Sequence, residues 1–362
     1  MKILKETLTS ITASNKEMER ETRKKWDSLV KPMGSLGLME EITIKIAGMT
    51  GNLKNSISKR AIVVMASDNG VTEEGVSAAP PIFTTLLAES TVKKITGVAA
   101  LAEFTNTDVK VVDIGLLGEV NHPSIIHKKI NNGTKNFTKE PAMTYAEAIK
   151  AIEVGIEIGD DLYKEGYDIL GTGELGIGNT TTSSAILSVL LDLDVDQTCG
   201  KGAGLTEEQL EGKKKAIQKG INLHQPNKED VIDVIAKVGG FDIAGMCGLF
   251  LSAAKNKKPI VIDGFISSVA ALCAVKLNFF VKDYIIPSHL SFEVGASSVM
   301  EELELMPMLH MGMRLGEGSG CPLAFQIIEA GLYTLENMGT FEEASINSEA
   351  LIDIRESEKV IE

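Results

Sequence analysis

Short, nearly unbroken apolar runs alternate along the chain with longer stretches whose apolar residues recur every three or four positions. The runs lie at 61–66 (AIVVMA), 109–114 (VKVVDI), 167–170 (YDIL), 259–262 (PIVI) and 284–286 (YII). Runs of this length without polar alternation suit strands covered on both faces, as in a parallel sheet. Between them, residues 145–166 set Ile149, Ile152, Ile156 and Tyr163 on one helical face. Strands alternating with helices predict an α/β architecture, a parallel sheet flanked by helices. Residues 1 to about 30 read as one surface helix, with Ile3, Leu4, Leu8, Ile11 and Met18 spaced among charged residues. The segment from about Met338 is acidic and mixed, which predicts a surface helix and a tail.

Several strands run into loops of glycine and small polar residues: SDNG (67–70), DIG (113–115), GTGELGIGNTTT (171–182) and DGF (263–265). In open α/β sheets ligands bind beyond the carboxyl ends of the strands, where such backbones approach closely. The loops therefore predict the position of the site.

Composition narrows the chemistry. Hydrophobic residues make up 44% and aromatics only 5%, so aliphatic side chains and Met build the core. A formal net charge of -14 argues against nucleic acid, whose phosphates need a basic surface. Cys199, Cys247, Cys273 and Cys321 are far apart, without CxxC or a His pair at metal spacing, and read as reduced, mostly buried thiols of a cytoplasmic protein; no metal is expected. The charged N-terminus lacks a signal-peptide core, and no window holds 18 apolar residues without charge, so no membrane span is expected.

Three loops carry candidate chemistry. GTGELGIGNTTT (171–182) precedes the apolar stretch SSAILSVLL, so its backbone donors and a helix dipole can hold a phosphate or carboxylate; the plain alternative is a sharp turn with Thr caps. It is neither a P-loop nor a clean GxGxxG. GKGAGLTEEQLEGKK (200–214) repeats the pattern, with Thr206 as a cap and Lys213 as a point charge; next to Lys214 and Lys215, the alternative is a solvated lysine. RLGEGSG (314–320) sets Glu317 between glycines, which suits a general base; the alternative is a carboxylate stabilised by the dipole of the helix that follows. His289, in PSHLS, reads as a polar residue near a strand end, and Asp68, Asp113, Asp242 and Asp263 as strand-end carboxylates with structural hydrogen bonds.

At these loops the sequence resembles the nicotinate-nucleotide–dimethylbenzimidazole phosphoribosyltransferase family. The blocks recur in order: KPMGSLGLMEE (31–41), SDNGVTEEGVS (67–77), GELGIGNTTT (173–182), GKGAGL (200–205), GGFDIAGMCG (239–248), DGFISSVAAL (263–272), SHLSFEVGAS (288–297) and MRLGEGSG (313–320). The resemblance implies a Rossmann-like catalytic domain, residues 31–330, and a small helical domain formed by residues 1–30 with 331–362. It also implies a homodimer, or a heterodimer with a paralogue, and no cofactor. The reaction implied is phosphoribose transfer from nicotinate mononucleotide to an aromatic base destined for a cobamide, with Glu317 as general base. The family's nucleotide contacts fall on Glu174, Gly176, Asn179, Thr180, Gly202, Lys213, Ser291 and Gly316, and its acceptor contacts on Ala79, Leu87, Leu175 and Leu315.

The chain departs from the family where the acceptor sits. Ala79 and Leu87 stand where benzimidazole users commonly carry Ser and Gln, Pro81 where Lys is frequent, and Asn69 where the loop usually reads DHG. A more apolar pocket suits an acceptor with one polar atom, such as phenol or p-cresol, and points to the family's phenol-activating branch; the alternative is a tolerant pocket that still takes benzimidazoles. Asn69 replaces a His hydrogen bond but not its charge, so activity is expected to survive. Two other readings compete. A non-catalytic paralogous subunit is disfavoured by the retained Glu317, Lys213 and GELGIGNTT. A nicotinamide-dependent oxidoreductase is disfavoured because no strand leads into GxGxxG with an acidic residue about 20 positions on.

Overall fold

The computed structural model describes residues 1–202, 204–347, Asp353 and Arg355. Residues 348–352, 354 and 356–362 of the expected C-terminal tail lie outside the described residues. The strands are β1 (Arg60–Ser67), β2 (Asp108–Gly115), β3 (Ile125–His127), β4 (Ile169–Leu175), β5 (Ile260–Ile262) and β6 (Ile285–Pro287). The helices are α1 (Lys2–Ser10), α2 (Lys16–Ser28), α3 (Leu38–Thr50), α4 (Ile82–Val92), α5 (Gly97–Phe104), α6 (Tyr145–Lys164), α7 (Asn179–Leu191), α8 (Val195–Thr198), α9 (Glu207–His224), α10 (Val231–Val238), α11 (Phe241–Asn256), α12 (Phe265–Leu277), α13 (Ala296–Leu303) and α14 (Gly320–Asn337).

Among the described residues the strands form one six-stranded parallel sheet in the order β3-β2-β1-β4-β5-β6. β1 is central and buried along its whole length, as its run without polar alternation requires. The chain winds outward from β1 through β2 to β3, then returns to lay β4 on the other side of β1. That reversal opens a crevice at the carboxyl ends of β1 and β4, where this architecture binds ligands.

The expected strands all form, and β3, only three residues at the edge beside β2, is an addition. β4 runs further than the apolar run YDIL, through Leu175, so the glycine-rich segment begins inside the sheet. A Cβ on Gly171 would lie 2.6 Å from Cys321 Cβ, and one on Gly173 would collide with the Glu317 carbonyl oxygen. Glycine in this strand therefore marks the close approach of α14 at Gly171 and of the Glu317 backbone at Gly173. Two glycines of the GGFDIAGMCG block serve packing: on α11, Gly248 has no room for a Cβ against Ile152 O of α6, and Gly245 O fills the place a Cβ on Gly155 of α6 would take. All four cysteines are free and buried.

The N-terminal segment is two helices rather than one. Residues 11–15 break it because Asn15 turns its side chain to cap α2, accepting from Glu17 N and Met18 N, with Glu17 and Glu19 in the first turn. α1 rests on α6 and α11, while α2 packs on α3. There Trp26, Leu29, Ile44 and Leu335 form a small apolar cluster, with Trp26 Nε1 donating to Thr43 Oγ1 at 2.7 Å. Val30 N–H donates to Gly339 O, which ties the end of α2 to the chain just beyond α14. No helix among the described residues is long and apolar enough to cross a membrane.

Candidate active site

A cavity of about 300 Å³ opens at the carboxyl ends of β1, β4, β5 and β6. Every site residue expected from the sequence lines it except Lys213: Ala79, Leu87, Glu174, Leu175, Gly176, Asn179, Thr180, Gly202, Ser291, Leu315, Gly316 and Glu317. A hollow of about 580 Å³ beside α7 and α9 is wider, lined by groups such as Asp192, Gln218 and Lys228, but it gathers none of these residues. Chemistry rather than size therefore locates the site.

Glu317 stands on the loop before α14. Gly316, Glu317 and Gly318 have φ of 79, 63 and 98°, three successive left-handed residues. A non-glycine residue so placed costs of order 1–3 kcal/mol and persists only where its surroundings hold it. Asp263, at the end of β5, supplies the hold: its carboxylate accepts from Gly318 N at 3.0 Å and Gly320 N at 2.6 Å. Glu317 as a residue is 9% exposed, and its Oε2 accepts from Val98 N at 2.9 Å, at the first turn of α5. A Cβ on Gly97 would lie 2.5 Å from Leu315 and 3.3 Å from Glu317 Oε2, so only glycine admits this contact. The dipole acting on Glu317 is thus that of α5, not of the helix that follows it in sequence. Burial raises the Glu317 pKa, while the backbone donors of Val98 and Gly97 partly oppose the rise.

Behind this loop the acids are linked. Asn179 Nδ2 donates to Glu174 Oε2 and, at 2.9 Å, to Asp242 Oδ2, while Glu174 Oε1 faces Glu317 N at 3.4 Å. Burial, reinforced by the charges of Asp242 and Asp263, pushes Glu174 well above the usual carboxylate range; burial raises Asp242 to about 6 and Asp263 to about 7. That rise favours the protonated, uncharged form of Glu174 and so limits the negative charge gathered in the pocket. Among the described residues no cluster of three or more His, Cys, Asp or Glu has metal-binding form.

Across the cavity the N-terminus of α7 is open. Gly178, at φ 90°, makes the turn into the helix, and no side chain caps it. Lys213 is 1% exposed, so it is no solvated lysine: Nζ donates to Thr180 Oγ1 at 2.8 Å and Gly200 O at 3.0 Å, and burial lowers its pKa. A Cβ on Gly202 would lie 3.0 Å from Thr180 Oγ1 and 3.4 Å from Lys213 Nζ. A helix N-terminus, a hydroxyl and a buried ammonium on one side form a cradle for an anion. Ala79, Phe83, Leu87, Leu175 and Leu315 give the rest of the cavity an apolar wall.

Sequence reasoning passes over several lining residues. Phe83 sits one helical turn before Leu87, and Arg314 lies in the same block as Glu317, stacked over the Phe292 ring at 5.1 Å. Asp263 and His289 read from sequence as structural groups, yet both line the cavity. Asn69 does not line it; its Oδ1 lies beside the unpartnered Asp242 Oδ1, both close to where a Gly240 Cβ would stand.

Comparison with known proteins gives one answer over the whole chain. A profile of the phosphoribosyltransferase family matches residues 11–346. The nicotinate-nucleotide–dimethylbenzimidazole phosphoribosyltransferase of Clostridium tetani is 57% identical over 357 residues, covering 98% of this chain and 99% of the relative. Its namesake from Ruminiclostridium cellulolyticum is 49% identical over 341 residues, 94% of this chain and 97% of that one. The crystal structure of CobT from Thermus thermophilus superposes with a TM-score of 0.87 at 34% identity, covering 91% of this chain and 99% of that one. With the sheet, the cavity and these relatives in agreement, the chain is a phosphoribosyltransferase and belongs to the nicotinate-nucleotide–dimethylbenzimidazole phosphoribosyltransferase family.

Proposed function

We propose that the chain transfers the phosphoribosyl group of nicotinate mononucleotide to an aromatic acceptor for a cobamide, with Glu317 as general base. The observation that carries this reading is the division of the cavity: an anion cradle at Thr180, Gly202 and Lys213, an apolar wall, and the Glu317 carboxylate lining the same space. The phosphate would rest on the α7 N-terminus and the acceptor ring against Ala79, Leu87, Leu175 and Leu315.

The chemistry balances without a cofactor. The bond from C1′ to the pyridinium nitrogen breaks, and its electron pair neutralises that nitrogen, so nicotinate leaves without an acid. The acceptor's nitrogen or oxygen bonds to C1′ from the opposite face and gives the α-riboside. Its N–H or O–H proton passes to Glu317, whose Oε2 is engaged by Val98 N and whose Oε1 is left for that proton. The raised pKa of Glu317 makes it a better proton acceptor than an ordinary glutamate.

The relatives' names support dimethylbenzimidazole as an acceptor. The replacement of polar residues by Ala79 and Leu87 on the wall supports phenol and p-cresol as well, since a ring with a single hydroxyl asks for only one polar partner. Offering dimethylbenzimidazole, adenine, phenol and p-cresol together with nicotinate mononucleotide, and identifying the ribosylated product, tests both statements. No ribosylated product from any acceptor would overturn the transferase reading; exclusive use of dimethylbenzimidazole would overturn the phenol extension.

A further inference from the structure

His289 lines the cavity but has no part in the steps above. It follows β6 and is 3% exposed. A parallel bridge to Leu309 pins its backbone, with Leu309 N–H donating to Ser288 O and Leu290 N–H to Leu309 O. Its Nδ1 lies 2.9 Å from Ser288 Oγ. Ser288 has one hydroxyl proton and gives it to the Asp263 carbonyl oxygen at 2.8 Å. The proton shared by Ser288 and His289 must then come from the ring. Nδ1–H donates, and Nε2 carries the lone pair.

The two edges of the ring face different ways. Nδ1 turns toward Gly320, where an added Cβ would collide with it. Nε2 turns toward Gly264, whose missing Cβ would lie 3.5 Å away, and Gly264, His289 and Ser291 all line the cavity. Among the described residues no donor is bonded to Nε2. Both Asp263 carboxyl oxygens are already engaged, Oδ2 by Gly318 N and Oδ1 by Gly320 N, and neither is bonded to His289. Burial lowers the ring's pKa to about 4, so it stays neutral through the physiological range. A neutral acceptor offers nothing to a phosphate or a carboxylate. Any ligand group that reaches it must bring a hydrogen.

We propose that His289 Nε2 accepts a hydrogen bond from a ribose hydroxyl of the nucleotide donor and so selects ribonucleotides over deoxyribonucleotides. This rests on reading the cavity as a nicotinate mononucleotide site, in which only the sugar hydroxyls carry protons at neutral pH. A deoxy donor would leave the fixed lone pair buried and unpaired, and that is the origin of strong discrimination.

The test is calorimetric titration, which needs no turnover, of wild type, His289→Phe and His289→Gln with nicotinate mononucleotide and its 2′-deoxy and 3′-deoxy forms. The wild type is expected to bind the ribose donor about 10–100-fold more tightly than one of the deoxy forms. His289→Phe erases that gap, whereas His289→Gln, with an oxygen near the position of Nε2, keeps most of it. A role confined to supporting Ser288 would weaken all three donors alike and leave the gap intact, and that result overturns the inference. So does a wild type that binds the three equally. Failure of the wild type to bind nicotinate mononucleotide at all would instead overturn the donor reading of the cavity, and this inference with it. Should His289→Phe unfold in a thermal melt, Ser288→Ala replaces it: freeing Nδ1 lets the tautomer exchange and narrows the gap, and an unchanged gap counts against the proposal.

Discussion

The helices α7 and α14 both begin on the same cavity after glycine-rich loops, and the chain treats their N-termini in opposite ways. At α14 the protein supplies its own acceptor: Asp263 accepts from Gly318 and Gly320, and the loop it fixes carries Glu317. At α7 no side chain caps the helix, and Lys213 and Thr180 add donors beside it. The same local motif thus makes a rigid support in one place and an anion cradle without a side-chain cap in the other. What decides is whether a buried carboxylate reaches the first turn, and that carboxylate comes from β5, more than fifty positions from Glu317 in the chain.

The largest effect should follow from Glu317→Gln, which leaves the α14 loop in place and removes the proton acceptor. Turnover is expected to fall by roughly 10²–10⁴-fold with donor affinity little changed. In the wild type, only the ionised base works, and its pKa is raised; kcat/KM should therefore decline as pH drops through a midpoint above the ordinary glutamate value. A normal rate for the variant would strip α14 of its assigned part.

Lys213→Met addresses the other helix. It removes the charge beside α7 without touching the base, so donor affinity should weaken by about 10–100-fold while the pH midpoint of the rate stays put. If affinity holds and the midpoint moves, the division of labour between the two helices is wrong.

Asp263→Ala should convert α14 into an uncapped helix like α7. Leaving Gly318 N and Gly320 N without their acceptor is expected to cost about 1–3 kcal/mol in urea denaturation. Asp263→Asn sharpens the point through pH. The folded-state pKa of Asp263 is raised to about 7, so the native protein holds a proton that the unfolded chain releases near pH 4. Wild-type stability should fall as pH rises across that window, and the asparagine variant should lack that part of the slope. The smallest effect is expected on the apolar wall: Ala79→Ser with Leu87→Gln should move acceptor preference toward dimethylbenzimidazole over p-cresol by about 10-fold or less, read from product ratios.

These contrasts also separate what the residues announce from what they conceal. β1 and β2 are legible because each run is apolar or nearly so and ends in a loop of small and polar residues. β4 is not fully legible, since Gly171 and Gly173 read as loop until the Cys321 side chain of α14 and the Glu317 backbone are seen lying against them. The break at Asn15 has a signal, an Asn followed by Glu17 and Glu19, but the periodicity of the flanking apolar residues masks it. Lys213 sits in a row of lysines, and only Thr180 and Gly200, distant in the chain, distinguish the inward one. Glu317 is marked by its glycines, whereas its hydrogen-bond partner Val98 lies in an unremarkable apolar helix. Local pattern reveals elements and loops; the pairing of remote loops sets the electrostatics.

The cluster around Trp26 gives the protein a built-in optical reporter. This is the lone tryptophan of the sequence, it is fully buried, and it touches α2, α3 and the end of α14 rather than the sheet. Its emission therefore follows the loosening of that helical seam, while far-ultraviolet circular dichroism follows the helices and sheet as a whole. Coincident denaturation curves from the two signals would mean that seam and sheet unfold as one cooperative unit; a red shift that precedes the loss of ellipticity would mean that the chain ends come away first.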